Sequence, residues 1–275
     1  MQQDTIQRLE GGRRTRGVAR SKPPFVSIIT VVYNGGGALR STLESAFVQA
    51  YKDYELIIID GASTDDTIQN LVAFDDQIDY WVSEPDRGIY DAMNKGIKAA
   101  TGEWIYFLNS GDSFVSQNVL MQAAEVLKQS NAEILAGYVR VLSKGKVTGR
   151  FPLNISKTNS ARQLFQSRFC HQALFVRKQS YDNIGGFDLR FPTFADFFAC
   201  YQIVNKFGRF DHAPIEIANF DLGGVSSDYR KSARLYRERE RIFQDVGEGK
   251  SPHAYFLGLC RAYAYQYKHA ILKNL

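Results

Sequence analysis

Cysteine is scarce in this chain. Cys170, Cys200 and Cys260 are the only three in 275 residues, and no two of them form a CxxC pair. An odd, scattered set excludes a disulfide framework and a cysteine-based zinc site, and points to free thiols in a cytosolic protein. Long apolar runs are missing too. No window reaches the roughly 18 uninterrupted apolar residues of a membrane span. Residues 1–22 lack the apolar core of a secretory signal. No internal repeat is present. What remains, 44% hydrophobic and 23% charged, is the composition of a soluble globular protein with one large domain and room for appendages.

The net charge of +5 is unevenly placed. Residues 1–24 carry net +4 and residues 228–275 net +5, which leaves the middle at net −4. An acidic body between basic ends argues against a nucleic-acid partner. The ends suit anionic lipid headgroups or another polyanion, or are plain solvated tails.

Residues 1–24, with Gly11-Gly12-Arg13-Arg14-Thr15-Arg16-Gly17, are charged and without periodicity, and predict a disordered tail. Four strands then alternate with helices. The strands are Phe25–Tyr33, Tyr54–Ile59, Ile78–Val82 and Trp104–Leu108; the helices are Ala38–Tyr51, Asp65–Phe74 and Ile89–Ala100. This alternation predicts an α/β domain with a parallel, doubly wound sheet. A helix over Gln117–Gln129 and antiparallel strands about the Lys144-Gly145 turn follow. Next come a partly helical 154–168, a strand Phe169–Arg177, a short helix Lys178–Ile184 closed by Gly185-Gly186, a helix Ala195–Phe207 and a strand His212–Asn219. Helices over Tyr229–Val246 and Ser251–Leu275 complete the chain. The last of them carries Tyr255, Phe256, Tyr263 and Tyr267 beside Arg261, Lys268 and Lys273.

Two carboxylates stand out by position. The apolar run Trp104–Leu108 stops at Asn109-Ser110-Gly111-Asp112, which sets Asp112 at the carboxyl end of a buried strand, where open α/β sheets bind ligands. Asp60 ends the Tyr54–Ile59 strand in the same way. Asp65 and Asp66 fall in the first turn of a helix, where its dipole favours them, and Ser63 or Thr64 suits its cap. Asn34-Gly35-Gly36-Gly37 raises a dinucleotide fingerprint. Arg40 stands where the third glycine is required, so a nicotinamide site is rejected.

The runs Ser27–Asn34, Ile58–Thr67, Ser83–Gly96, Gly102–Asp112, Cys170–Ala173, Gly185–Asp188 and Gly223–Ser226 together resemble the family 2 glycosyltransferases of GT-A fold, in family order, over about residues 25–227. The variant is similar to bacterial exopolysaccharide transferases of the colanic-acid type. The resemblance implies a Rossmann-like, mixed and mainly parallel sheet with flanking helices, followed by a C-terminal helical extension over 228–275. It implies a hexosyltransferase that moves a sugar from a nucleotide-diphosphate donor with inversion at the anomeric carbon.

Family roles carry over position by position. Tyr33 and Asn34 line the base pocket, Asp60 bonds the base or ribose, and Arg87 sits near the base or diphosphate. Asn109–Asp112 matches the Asp-x-Asp-type motif. Asp112 keeps the metal role, for Mn2+ or Mg2+, while Ser110 stands where a second carboxylate often does and faces the donor nucleotide. Asp196, opening a helix after Gly-Gly-Phe-Asp, is the general base, with Asp188 as a competitor that orders the acceptor loop. His171 and Gln172 lie near the donor phosphates or acceptor, and Ser226 belongs to a loop that closes over the diphosphate. The implied acceptor is a saccharide on a polyprenyl carrier. The aromatic, basic last helix then points to peripheral attachment at the cytoplasmic face of the membrane. The alternative is a non-catalytic nucleotide- or carbohydrate-binding scaffold of the same fold. A nucleotidyltransferase needs a basic residue in the first glycine loop, which Asn34–Leu39 lacks.

Overall fold

The structure is a computed structural model that describes residues 8–18, 20–143, 145–151 and 170–221, with positions 238, 241, 242 and 245. The chain separates into two compact units, Met1–Leu222 and Gly223–Leu275. Ser226 and its loop, the segment 154–168, the helix expected over 251–275 and most of that over 229–246 lie outside the described residues.

Ten strands of the first unit are described. They are β1 (Leu9–Gly11), β2 (Val26–Val32), β3 (Tyr54–Asp60), β4 (Tyr80–Ser83), β5 (Trp104–Phe107), β6 (Ser113–Phe114), β7 (Ile134–Ser143), β8 (Lys146–Phe151), β9 (Leu174–Arg177) and β10 (Phe210–Asp221). They form one sheet in the order β1-β4-β3-β2-β5-β9-β7-β10-β6, with β8 paired to β7. Strands β4, β3, β2 and β5 are mutually parallel, and β7 and β10 share their direction through the antiparallel β9. The sheet is therefore mixed and mainly parallel, as expected. Its helices are α1 (Gly36–Phe47), α2 (Thr67–Ala73), α3 (Ile89–Ala99), α4 (Val119–Leu127), α5 (Lys178–Ile184) and α6 (Ala195–Phe207).

Both faces of the central strands are covered, which is why they read as continuous apolar runs. Val26, Ile28, Leu56, Ile58, Trp104 and Tyr106 pack with α1 and α4 residues such as Leu39, Leu43 and Leu120. On the other face, Gly96 of α3 lies so close to Ile29 that a Cβ there would collide with it, and Ile59 is in contact range. Phe107 meets Tyr181 and Phe187.

Three expectations are corrected. Residues 8–24, insofar as they are described, are not a disordered tail: β1 adds to β4 as an antiparallel edge, and Arg13–Arg16 form a 3-10 turn. Charge rather than apolar periodicity holds them. Arg13 and Arg20 reach Asp79, Arg14 reaches Glu55, and Arg16 reaches Asp75. Helix α2 starts at Thr67, because the Asp65 carboxylate accepts the Thr67 amide at 3.0 Å; neither Ser63 nor Thr64 caps it. Strand β9 starts only at Leu174. The Gln172 carbonyl is taken by the buried Tyr106 hydroxyl at 2.8 Å, so His171–Ala173 turn as a 3-10 segment instead of joining the sheet.

Candidate active site

The parallel strands β2, β3, β4 and β5 end on one edge of the sheet and deliver Asn34, Asp60, the 84–88 loop and the 109–112 loop to it. Asn34 adopts a left-handed φ of 50°, which asparagine tolerates. Its amide donates to Ser63 Oγ at 2.7 Å, and its side-chain oxygen accepts from the Thr64 amide at 2.8 Å. The loops after β2 and β3 are thus stitched together. Asp60 is fully buried. Its oxygens accept from the Ser63 amide at 3.0 Å, from the Ser63 hydroxyl, and from Ser83 Oγ at 2.5 Å. A direct contact from Asp60 to a base or ribose requires Ser63 or Ser83 to move aside.

Tyr33 is 66% exposed. Its ring passes Gly61, where Asp86 also approaches. Arg87 pairs neither with Asp86 nor with Glu84. Its guanidinium bonds Asp91 at 2.9 Å, and its own amide donates to the same carboxylate at 3.0 Å. That hydrogen-bonded pair raises the Arg87 pKa and lowers that of Asp91. Glu84 is taken by Lys95 at 2.8 Å.

A second group gathers where β5 ends. Thr42 of α1 donates its hydroxyl to the Asp112 carbonyl at 2.7 Å and accepts the Gly111 amide at 3.0 Å, so the loop rests on α1. Gly35 permits this approach, because a Cβ there would meet Ser110 Oγ at 2.6 Å. The Asp112 side chain accepts a hydrogen bond from Gln172, whose oxygen in turn accepts from Cys170 Sγ at 2.6 Å. Burial raises the Asp112 carboxyl to about 6, opposed in part by nearby His171 and by the Gln172 bond. Burial likewise pushes the Cys170 thiol up, so it is no nucleophile.

His171 joins this group to Asp196. Its Nδ1 lies 3.2 Å from Asp196 Oδ2, and its Nε2 lies 3.1 Å from Asn109 Nδ2. Asp196 sits in the first turn of α6 and also accepts from the Tyr90 hydroxyl at 3.0 Å and the Phe197 amide at 2.8 Å. Burial drives the Asp196 carboxyl up, but the His171, Phe197 and Tyr90 bonds outweigh it and hold the group below the usual carboxylate value. Asp188 is clamped through both oxygens by Arg190, at 3.1 Å from Nε to Oδ1 and 2.6 Å from Nη2 to Oδ2. Burial raises its carboxyl, and the arginine more than cancels the rise. The structure therefore groups Asp112, Gln172, His171 and Asp196, and separately Asn34 with Asp60. Arg87 and Asp188 are each tied to a local partner.

The fit to a divalent cation rests on Asp112. Among the described residues no cluster of three or more His, Cys, Asp or Glu offers a cage. The loop does leave the Ser110 hydroxyl and the Asn109 side-chain oxygen buried without partners. A desolvated carboxylate in a loop with an unpartnered hydroxyl suits Mg2+ or Mn2+, which bind through one or two carboxylates and complete their shell with water and substrate phosphates.

Tyr90 and Asn94 escaped the reading of the sequence, which has Asn109 only as the start of the motif that ends at Asp112. Asn94 clamps Phe187 twice, accepting its amide at 2.7 Å and donating to its carbonyl at 2.8 Å. Gly186, at φ 80°, leaves room for that clamp, since a Cβ there would strike Asn94. The signal was present: Tyr90 and Asn94 recur one helical turn apart on α3, within the run that supplied Arg87.

Comparison with known proteins bears on the fold and the family. Solved structures show the same GT-A fold at low identity. S. aureus TarS 1–349 in complex with UDP-GlcNAc matches with a TM-score of 0.66 and 17% identity, covering 84% of this chain and 68% of that one. The mannosyltransferase PcManGT from Pyrobaculum calidifontis, in complex with GDP-Man and Mn2+, matches with a TM-score of 0.61 and 16% identity, over 87% and 71%. An uncharacterized glycosyltransferase of Mycobacterium tuberculosis is 34% identical over 86% of this chain and 91% of its own length. A PGL/p-HBAD biosynthesis glycosyltransferase of Mycobacterium bovis is 31% identical over 74% and 80%. The model of the glycosyl transferase family 2 matches residues 27–185, and the chain belongs to that family.

Proposed function

We propose that the chain is an inverting hexosyltransferase that moves a sugar from a nucleoside-diphosphate sugar to a hydroxyl of a saccharide acceptor. One observation carries this reading. Two carboxylates, Asp112 and Asp196, are joined through Asn109 and His171 and perturbed in opposite directions. Opposed environments mark divided roles. Asp112, short of positive charge, holds the cation with Ser110. Asp196, kept ionised, takes the proton of the acceptor hydroxyl as its oxygen attacks. The cation, when bound, neutralises charge on the departing diphosphate.

The exposed Tyr33 ring offers a stacking face for the base. Asn34 and Asp60 shape that pocket through Ser63, and Arg87 reaches the diphosphate by exchanging Asp91 for phosphate. Asp188, fixed by Arg190, orders the acceptor side, and Gln172 orients Asp112. The two ligands named for the structural neighbours, UDP-GlcNAc and GDP-Man, are the first donors to test.

The acceptor in this reading is lipid-linked, probed through the basic, aromatic 251–275 segment. Co-sedimentation with anionic liposomes, weakened by charge reversal at Arg261, Lys268 and Lys273, supports attachment at the cytoplasmic face of the membrane. Indifference of the unaltered chain to such liposomes removes it.

Thermal unfolding with UDP-GlcNAc or GDP-mannose, with and without Mn2+, tests the donor site. Metal-dependent stabilisation by one donor is expected, and Asp112→Ala abolishes it. Asp196→Asn retains donor binding and loses sugar transfer by about 100-fold or more. Donor binding without any release of nucleoside diphosphate supports the scaffold instead.

A further inference from the structure

His171 has no ring nitrogen left for a substrate. Asp196 is held ionised, so it accepts only, and Nδ1 must carry the proton of the 3.2 Å contact. In a neutral imidazole Nε2 is then an acceptor, and the Asn109 amide donates to it at 3.1 Å. The ring is 24% exposed, and its backbone turn is pinned by the Tyr106 hydroxyl on the Gln172 carbonyl. Asp196 Oδ1 meanwhile accepts the Phe197 amide and faces the Tyr90 hydroxyl, whose single proton it shares with the Thr193 carbonyl. Oδ2, the oxygen that His171 bonds, is the one with an uncommitted lone pair.

We infer that His171 is the positioning residue of the transfer: it aims Asp196 Oδ2 at the acceptor hydroxyl and ties that aim, through Asn109, to the loop bearing Asp112. This rests on the transfer reaction and on Asp196 as its base. The bond from His171 leaves the second lone pair of Oδ2 in a fixed direction. A loop that shifts when the donor arrives moves Asn109, and with it the imidazole. Base and donor are thereby held in one register, and misplacement by about 1 Å costs on the order of 100-fold in rate.

The test uses the full chain with Mn2+ and whichever of UDP-GlcNAc and GDP-mannose stabilises it more, following nucleoside diphosphate release. His171→Ala is expected to lower kcat by about 100-fold while donor KM stays within about threefold. His171→Asn places an amide N–H near the Nδ1 position and restores kcat about tenfold or more over His171→Ala. His171→Gln, which places its amide near Nε2, does not restore it. A rise in KM with kcat kept, or equal rescue by Asn and Gln, overturns the inference. Asp196→Asn separates the two levels. If that variant turns over normally, the base assignment falls. If it is inactive while His171→Ala matches the unaltered chain, only the positioning role falls. Should His171→Ala fail to fold, 15N imidazole spectra of the unaltered chain decide the matter. They are expected to show a protonated, hydrogen-bonded Nδ1 that is lost in Asp196→Ala, and a protonated Nε2 with bare Nδ1 overturns it.

Discussion

Glu55 and Asp79 at the amino ends of the central strands and Asp112 at the carboxyl ends are supplied with hydrogen bonds in opposite ways, while Asp60, at the same end as Asp112, is satisfied by Ser63 and Ser83. At the amino ends, Glu55 is fully buried and accepts from the Thr101 amide at 2.7 Å, the Thr101 hydroxyl at 2.9 Å, Ser27 Oγ at 2.5 Å and the Arg14 guanidinium. Asp79 accepts from the Leu56 amide at 2.8 Å and from both Arg13 and Arg20. At the carboxyl ends, Asp112 has one side-chain donor, Gln172, and its loop holds two buried polar atoms with no partner. Saturated acids hold a fold together, whereas an undersupplied one is left for a ligand to complete. A cavity of about 400 Å³ at the amino end is lined by Arg14, Arg20, Glu55 and Asp79, charges that already answer one another. The presence of a cavity alone therefore does not mark a binding site.

The comparison breaks first at Arg14. Its guanidinium also donates to the Ala99 carbonyl at 2.7 Å, so it fastens the N-terminal segment to the back of β3 and α3. Arg14→Met leaves the Glu55 charge buried and short of its cation, and is expected to cost about 3 kcal/mol in denaturant unfolding. Adding Glu55→Gln should recover much of that loss, because removing both partners is cheaper than removing one. Donor KM and kcat should stay unchanged at a temperature where the variant is folded. If Arg14→Met instead spares stability and impairs turnover, the amino end is functional and the contrast is wrong.

Asp112 should answer with the opposite sign. Its carboxyl rises from 3.8 to about 6 on folding, so the folded chain binds that proton more tightly than the unfolded chain. Stability from this group is full below about pH 4 and is lost as pH rises through about 6. Asp112→Asn removes that loss and is expected to stabilise the chain at neutral pH by up to about 3 kcal/mol, while abolishing metal-dependent donor binding. Unfolding midpoints of both forms from about pH 4 to 8 check this: they should draw apart between about pH 4 and 6 and keep that separation above 6. Parallel curves mean that the carboxylate is already compensated, and the contrast between the ends disappears.

Much of the fold was legible because β2, β3 and β5 are unbroken apolar runs and α1 and α3 show clear helical spacing. Strand-end carboxylates followed from the same pattern, and Asp112 and Asp196 stand on the elements expected of them. What stayed hidden depends on partners far apart in sequence. Arg13–Arg20 looked like a loose tail, since nothing local shows that Glu55, Asp75 and Asp79 wait for them. His171 looked like the start of a strand, since only the fold reveals that Asn109 and Asp196 bracket it. Asp60 looked like a ligand contact, but Ser63 and Ser83 occupy it. Apolar periodicity records burial and is silent on which polar atoms will meet.

The smallest effect expected is at Tyr106, where core packing and site chemistry touch. Its ring stacks on Phe175 at 4.7 Å and on Phe114 at 5.3 Å, and its hydroxyl alone reaches out, to the Gln172 carbonyl. Tyr106→Phe keeps the stack and deletes that bond, which should cost about 1 kcal/mol. Gln172 then loses the anchor from which it bonds Asp112, and neighbouring His171 loses the same support. Metal-dependent donor affinity should weaken by roughly fivefold or less if part of that loss is felt at the site, since about 1.4 kcal/mol corresponds to tenfold. Calorimetric titration of the variant against the donor found above, with Mn2+, measures it. A stability loss with donor affinity intact would mean that ring stacking alone seats the 170–173 turn, and that the open end of the sheet is insulated from the core below it.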